Sequence, residues 1–542
     1  MKKLLVLIAF VFSSVAFAQQ DAWVYFNAKP NSQFYFDNPL EMLSQRALDR
    51  RAAQNIAVDL VDVPIHQPFV DQVEAASGIT VLATSKWLNA IHVRGSVIAI
   101  NALANLTFVS SVDFADDSLD SRSAKSGAPK YVPTANHTQK VLDTQVDFAY
   151  GGSANQIQML NGHLLHQQDF TGSGKIIAVL DAGFPNVNTA APFQRLLDNN
   201  LILGGYNFVD RDDNIYSRNN HGTLVLSTMG GYVENQLVGT APDAQYYLFI
   251  TEAIEYENPL EESLWVEAAE RADSLGVDVI NSSLGYPSYD NPAYDYSYEE
   301  RDGMKAFITR GADIAFTRGM VVVVSAGNEG SSDDPFVSVP ADGFNVLSIG
   351  AVTSTEAYAT FSSIGPTTDG RVKPDVVAKG QGATVANTQG NVATSNGTSF
   401  SSPIMAGMIA TFWSAVPNLT NQQVVNFVKQ SADLFANPTA LKGYGVPDFA
   451  LALQNALLST PSSAKKEFTI YPNPVADIIT INFPETATSA TMTIFDASGK
   501  TVLTKHVDRQ RNSVDCSNIN PGVYFYSIVS DGAKQTGKLI KS

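Results

Sequence analysis

Between residues 175 and 324, short apolar runs alternate with longer segments in which apolar residues recur at helical spacing. Strands buried on both faces give near-continuous apolar runs, and half-buried helices give that spacing. The alternation predicts an α/β fold, in which a parallel sheet has helices on both faces. The predicted strands are Lys175–Asp181, Tyr246–Thr251, Val277–Ile280 and Met320–Val324, and the predicted helices are Leu260–Leu275 and a segment at about 299–318.

The regions before and after this one have other patterns. Residues 22–114 combine three strand-like runs with two helical segments, which predicts a small α+β module. Residues 468–542 alternate apolar and polar positions in short runs separated by turn sequences, which predicts a β-sandwich. Two polar stretches, 121–145 and 459–467, are predicted linkers, and the first of them is the expected site of proteolytic processing. The domains are therefore predicted at 19–120, 146–458 and 468–542.

The first 18 residues have the features of a secretory signal peptide. Two lysines precede an apolar stretch, and Ala16-Phe17-Ala18 supplies small residues for cleavage after Ala18. The apolar stretch is shorter than the roughly 20 residues that span a membrane, and no later stretch is long enough either. We therefore expect export and removal of residues 1–18, and no membrane span.

Composition narrows the class of protein further. The 542 residues suffice for two to four domains. A formal net charge of −18 argues against nucleic acid or an anionic membrane as partner, because both would repel the chain. Cys516 is the only cysteine, so no internal disulfide forms, and stability must come from the core and from any bound structural calcium. The acidic run 210–214 lacks the EF-hand glycine and distal glutamate, which favours a solvated turn over a calcium loop.

Three segments carry the residue types that nucleophilic acyl transfer needs. A predicted strand runs into Asp181, His221 opens an apolar helical segment, and Ser399 stands where a loop meets another helix. A nucleophilic serine needs an imidazole to take its proton and a carboxylate to orient that imidazole. The order Asp, His, Ser is one of three chain orders in which this arrangement is built. Asn328 follows a predicted strand, where its amide could donate to an oxyanion.

With these segments, residues 150–458 resemble a subtilisin-family serine endopeptidase, a subtilase. The resemblance implies that Asp181 orients His221 and that His221 serves as general base and then acid. It also implies that Ser399 is the nucleophile and that Asn328 is the oxyanion donor. The chemistry would need no cofactor, and the partners would be protein or peptide substrates.

The resemblance also implies two backbone segments that pair with an extended substrate, Ser283-Leu284-Gly285 and Ala326-Gly327. The chain departs from the family pattern at Ala182, where a serine or threonine is usual, and at Leu224, where a second histidine is usual. A third departure is Phe400-Ser401 after the serine. None of them removes a proton-transferring group, so we expect them to affect rate and fine geometry rather than the reaction.

The flanking modules carry resemblances of their own. Residues 19–120 resemble a subtilase prodomain, which folds the protease and then occupies its cleft, although a separate binding domain is an alternative. Residues 468–542, with Tyr471-Pro472-Asn473-Pro474, resemble the sorting domain of type IX secretion cargo, with a carbohydrate-binding module as the alternative. The sorting resemblance implies Sec export to the periplasm, translocation by the type IX machinery, and a secreted or cell-surface protein.

Two other functions compete with a secreted endopeptidase made as a preproprotein. A catalytically inactive binding protein on the same fold is disfavoured because Asp181, His221, Asn328 and Ser399 are all present. An esterase or lipase would be expected to show a G-x-S-x-G motif and the order Ser, Asp, His, and neither is found.

Overall fold

The computed structural model describes residues 19–120, 148–459, 468–483, 487–496, 499–530 and 533–542. The predicted signal peptide, the linker 121–145 and all but the first residue of the linker 459–467 lie outside them. The chain divides into two units, residues 1–456 and residues 457–542. Within the described ranges, no helix has both the length and the apolar character needed to cross a membrane.

The N-terminal module confirms the α+β expectation. Its strands are β1 (Gln20–Phe26), β2 (Ile79–Ser85), β3 (Ala90–Gly95) and β4 (Val109–Phe114), and its helices are α1 (Ser32–Asp37), α2 (Gln45–Ala53), α3 (Gln67–Glu74) and α4 (Val97–Leu103). The strands form an antiparallel sheet in the order β2-β3-β1-β4. Ser44 and Ser96 begin α2 and α4 as N-caps, since each side chain accepts a bond from a backbone N–H of the first turn.

The central region contains eleven strands and nine helices among the described residues. The strands are β5 (Ile176–Asp181), β6 (Ile202–Asn207), β7 (Tyr232–Val233), β8 (Leu237–Val238), β9 (Gln245–Ile250), β10 (Val279–Ser282), β11 (Val321–Ser325), β12 (Leu347–Val352), β13 (Val376–Lys379), β14 (Ala383–Ala386) and β15 (Val392–Ser395). The helices are α5 (Ala154–Gln158), α6 (His163–His166), α7 (Gln194–Asp198), α8 (His221–Gly230), α9 (Leu260–Leu275), α10 (Phe307–Thr317), α11 (Thr398–Ala415), α12 (Asn421–Gln430) and α13 (Phe449–Ser459).

Seven of these strands form the predicted parallel sheet, in the order β13-β12-β11-β10-β5-β9-β6. All residues of β5, β10, β11 and β12 are buried, which explains their uninterrupted apolar runs. Helix α8 packs against α11, and α9 packs against α10. The predicted helix at 299–318 is wrong in its first half, because Asp302 accepts bonds from the N–H groups of Met304 and Lys305 in a turn before α10 begins.

The N-terminal module packs on the face of α9 and α10. The Trp23 ring stacks on Phe307 with centroids 5.0 Å apart, and its indole N–H donates to Ser263. Asp273 on α9 accepts bonds from Arg50 and Arg51 of the module, and all three side chains are buried. The module therefore contacts these helices through both an aromatic stack and buried ion pairs.

The C-terminal unit is built of antiparallel strands. They are β16 (Thr469–Tyr471), β17 (Ile478–Asn482), β18 (Ser489–Phe495), β19 (Thr501–Asp508), β20 (Ser513–Asp515), β21 (Gly522–Ser530) and β22 (Ala533–Lys541). One sheet has the order β16-β17-β20 and the other has the order β19-β18-β21-β22. Ile481 and Val514 of the first sheet share a buried core with Met492 and Ile528 of the second. The predicted β-sandwich is confirmed.

Candidate active site

The carboxyl ends of three neighbouring strands bring the predicted residues together. Asp181 is the last residue of β5, Ser283 directly follows β10, and Asn328 lies three residues beyond β11. These strands are adjacent and parallel, so their carboxyl ends lie at one edge of the sheet. A crevice at this edge is the usual position of a site in an open α/β sheet.

The Asp181 carboxylate lies against the His221 ring. Asp181 Oδ1 is 2.7 Å from His221 Nδ1 and also accepts a bond of 2.8 Å from the N–H of Ala182. Asp181 is fully buried, and its Oδ2 has no hydrogen-bond partner in the described part of the chain. Burial lowers the pKa of the His221 imidazole, but the adjacent carboxylate raises it by more, so this pKa lies above its ordinary value.

Ser399 lies in the first turn of α11. Gly397 precedes the helix with φ 147°, a conformation that side-chain-bearing residues rarely adopt. The Ser399 hydroxyl donates to the Ser283 carbonyl at 3.4 Å, and the Ser283 hydroxyl donates to the Ser399 carbonyl at 2.8 Å. Within the described ranges, no hydrogen bond joins Ser399 to His221, although both line one pocket. Such bonds are often long without substrate, and rotation of the hydroxyl would be needed to form this one.

The Asn328 amide is held through its oxygen. Asn328 Oδ1 accepts bonds from the Thr398 N–H at 2.9 Å and from the Thr398 hydroxyl at 3.1 Å. The amide NH₂ donates to no protein group among the residues described, and Asn328 lines the pocket beside Ser399. Sequence reasoning missed Thr398, although a hydroxyl next to Ser399 in the Asn-Gly-Thr-Ser segment was a signal that could have found it.

These residues surround a cleft of about 240 Å³. Of the expected substrate-pairing residues, Ser283, Leu284, Gly285 and Gly327 line it, whereas Ala326 is fully buried and does not line it. The full lining is Ala182, Asn219, His221, Glu252, Ile254, Ser283, Leu284, Gly285, Ser325, Gly327, Asn328, Glu329, Ser338 and Ser399.

The cleft also contains carboxyl groups that sequence reasoning missed. Glu329 directly follows Asn328, and this adjacency was the available signal. Glu252 follows β9 by two residues. Burial, together with the carboxylates of Glu257 and Asp181, raises the pKa of Glu252 to about 8.

Within the described residues, no three His, Cys, Asp or Glu side chains are grouped so as to hold a metal ion. In the acidic run 210–214, the Asp210 carboxylate accepts bonds from Arg218 and Asn207.

Three segments of the chain match known protein families. Residues 172–446 match the subtilase family, residues 21–130 match the peptidase S8 propeptide domain of Bacteroidota, and residues 469–542 match the secretion system C-terminal sorting domain.

Individual relatives match about half of the chain. The chain is 32% identical over 285 residues to Subtilisin NAT of Bacillus subtilis subsp. natto, which covers 52% of this chain and 66% of that protein, just under two thirds. It is 32% identical over 280 residues to Subtilisin of Bacillus pumilus, covering 51% of this chain and 90% of that protein. Among solved structures, the MycP3 protease from the type VII (ESX-3) secretion system is 21% identical with a TM-score of 0.46, covering 57% of this chain and 89% of that one.

The buried parallel sheet, with Asp181 and His221 paired beside Ser399, is the arrangement typical of an α/β serine hydrolase. The family match spans about half of the chain, and the protein belongs to the subtilase family of serine peptidases. It also carries a propeptide domain and a sorting domain for secretion.

Proposed function

We propose that this protein is a secreted serine endopeptidase that hydrolyses peptide bonds of proteins. The observation that carries the proposal is that His221, Ser399 and an uncommitted Asn328 amide line one cleft, while the buried Asp181 is bonded to His221. A binding protein that had lost its chemistry would not be expected to keep all four groups in this arrangement.

Each group has a distinct role in the proposed reaction. His221 takes the proton from Ser399 as its Oγ attacks the scissile carbonyl carbon, and then gives that proton to the leaving amine. Asp181 fixes the imidazole tautomer through the 2.7 Å bond and stabilises the imidazolium that forms. The Asn328 NH₂ donates to the oxyanion, and this interaction is strongest in the transition state. Water then cleaves the acyl-enzyme by the same proton transfers.

The flanking domains serve maturation and export in this proposal. The N-terminal domain packs on α9 and α10 and is removed by the enzyme itself. Residues 468–542 direct type IX translocation after Sec export, so that the protein reaches the medium or the cell surface.

Labelling and product analysis test the proposal. A serine-directed phosphonate should label the wild-type protein and leave Ser399→Ala unlabelled, and casein should yield new amine termini only with the wild type. The Ser399→Ala chain should also retain its N-terminal domain unless another protease removes it. Absence of both labelling and cleavage in correctly processed wild-type protein would instead support the inactive binding protein.

A further inference from the structure

Helix α11 contains a proline one turn beyond the proposed nucleophile. Pro403 lies inside α11, four residues after Ser399. In a regular α-helix the N–H of residue 403 would donate to the carbonyl of residue 399, but proline has no N–H. The carbonyl of Ser399 therefore lacks the hydrogen bond that would normally tie it to the next turn. Because Ser399 is buried, this carbonyl needs another donor.

Strand β10 and the residue after it supply that donor through side chains. The Ser283 hydroxyl donates to the Ser399 carbonyl at 2.8 Å. The Ser283 Oγ in turn accepts a bond of 3.3 Å from the amide nitrogen of Asn281, which lies on β10. Asn281 Oδ1 accepts a bond of 3.0 Å from the hydroxyl of Ser402 on α11. These bonds form a chain that leaves α11 at Ser402 and returns to it at Ser399.

The three bonds of this chain run in one direction. Each serine hydroxyl has one proton, and an amide side chain donates only through its nitrogen. Since the Ser402 proton lies on Asn281 Oδ1, the amide presents its NH₂ group to Ser283. The Ser283 proton is then directed to the Ser399 carbonyl. Asn281 and Ser402 are fully buried, so the chain is protected from water. Asn281 therefore determines which way the Ser283 hydroxyl points.

The first turn of α11 is thus held from two neighbouring strands. Asn328, beyond β11, accepts a bond from the Thr398 N–H, and Ser283, beyond β10, donates to the Ser399 carbonyl. Strands β10 and β11 are adjacent and parallel. Rotation of the Ser399 hydroxyl toward His221 changes only a side-chain torsion, so the main chain must already be in place for Oγ to come within reach.

We propose that Asn281 and Ser283 are positioning residues for the nucleophile, and that they replace the helix bond which Pro403 cannot donate to Ser399. The inference rests on the proposed endopeptidase function, because it concerns the residue that attacks the scissile carbonyl. The Ser283 hydroxyl acts on the main chain of Ser399. This role is separate from the substrate pairing expected of the Ser283 main chain.

Ser283→Ala tests the last bond of the chain, because it removes the hydroxyl and keeps the main chain. The kcat per phosphonate-titrated site should fall about tenfold with KM changed by less than about twofold, since a buried carbonyl without a donor displaces the nucleophile. The rate of phosphonate labelling should fall by a similar factor, because it requires Ser399 but no peptide. Asn281→Leu keeps the Ser283 hydroxyl without the amide that directs it, and should lower kcat about threefold.

Pro403→Ala provides the rescue. Alanine brings an N–H that can donate to the Ser399 carbonyl, so in this background Ser283→Ala should lower kcat only about twofold. Pro403→Ala by itself should change kcat by less than about twofold. Ser401→Ala is the matched control, because the Ser401 hydroxyl belongs to the same turn but donates to the Thr398 carbonyl within the helix. It should also change kcat by less than about twofold.

The outcomes separate this inference from the proposed function. Equal losses of kcat with and without Pro403→Ala would overturn the inference, because the Ser283 hydroxyl would not be replacing a helix bond. A loss confined to KM would also overturn it and would make this hydroxyl a substrate-binding group. If Ser283→Ala gives no titratable sites, recovery of sites in the double variant with Pro403→Ala supports the inference, and no recovery contradicts it. If wild-type protein is neither labelled nor able to cleave peptides, the proposed function itself fails.

Discussion

The Asn328–Thr398 contact supports a prediction in two parts. Asn328→Ala removes the amide that would donate to the oxyanion. Loss of one such donor lowers kcat by about 10²–10³, or about 3–4 kcal/mol, a range that comes from a subtilisin of the same family and not from this structure. Because the donor acts mainly on the transition state, KM should change little.

The second part follows from the geometry. The Thr398 N–H donates to Asn328 Oδ1 at 2.9 Å, and the Thr398 hydroxyl lies 3.1 Å from both Asn328 Oδ1 and the Gly327 carbonyl, so that these two acceptors share its one proton. Thr398→Val removes the hydroxyl while nearly keeping the shape. One hydrogen bond contributes about 1 kcal/mol, which corresponds to about fivefold in kcat if the amide loses that much orientation. Thr398→Ser keeps the hydroxyl and should restore the rate.

The assay is steady-state hydrolysis of a peptide substrate, with active enzyme counted by phosphonate titration. Variants that fail to process themselves are matured with a trace of wild-type enzyme, which is then inactivated. The ordering of kcat should be wild type, close to Thr398→Ser, above Thr398→Val, and far above Asn328→Ala. If Asn328→Ala acted chiefly through KM, the amide would be positioning substrate, and if Thr398→Val cost nothing, the hydroxyl would not be orienting it.

Three further expectations concern pH, stability and export. Asp181→Asn should lower kcat by about 10⁴-fold. It should also move the acid limb of the kcat/KM profile to lower pH, because the Asp181 carboxylate raises the pKa of His221. An acid limb at unchanged pH would show that the carboxylate does not control this pKa. Asp375→Asn should lower the free energy of unfolding by about 3 kcal/mol in urea titrations of an inactive background, because it removes the carboxylate that neutralises the buried Lys373. Deleting residues 468–542 should trap the protein in the periplasm while the purified protease stays active, and normal secretion of the truncated chain would refute the sorting role.

Local pattern was sufficient for the elements whose periodicity is strong. Helix α9 begins and ends at the predicted residues, because its apolar spacing is regular and Gly276 ends it in a left-handed conformation. Strand β2 was not predicted, since its residues alternate irregularly between buried and partly exposed positions. Asp181, His221, Asn328 and Ser399 were predicted because each lies in a short sequence motif that is typical of its chemical role.

The rest of the cleft depends on contacts between distant segments. Ser338 lies in no recognisable sequence motif. It lines the cleft because backbone hydrogen bonds hold its loop: the Ser338 N–H donates to the Ala326 carbonyl, and the Tyr286 N–H donates to the Val339 carbonyl. Thr398 was adjacent to a recognised serine, but its role depends on Asn328, seventy residues away in the chain. Such contacts cannot be predicted from the spacing of residues along the sequence, because the tertiary fold determines which distant residues meet.

The surroundings of the acidic face of α9 also could not be predicted from the sequence pattern. Glu270 and Asp273 stand on the polar side of a regular amphipathic pattern, which indicates a face turned to water. In the structure Glu270 accepts bonds from Ser85 and from the N–H groups of two residues beside it, and Asp273 accepts bonds from Arg50 and Arg51. An amphipathic pattern separates apolar from polar positions, but it does not say whether water or a charged domain covers the polar face. Whether water or another module covers this face depends on the complementary arginines of that module, so it can be seen only in the tertiary structure.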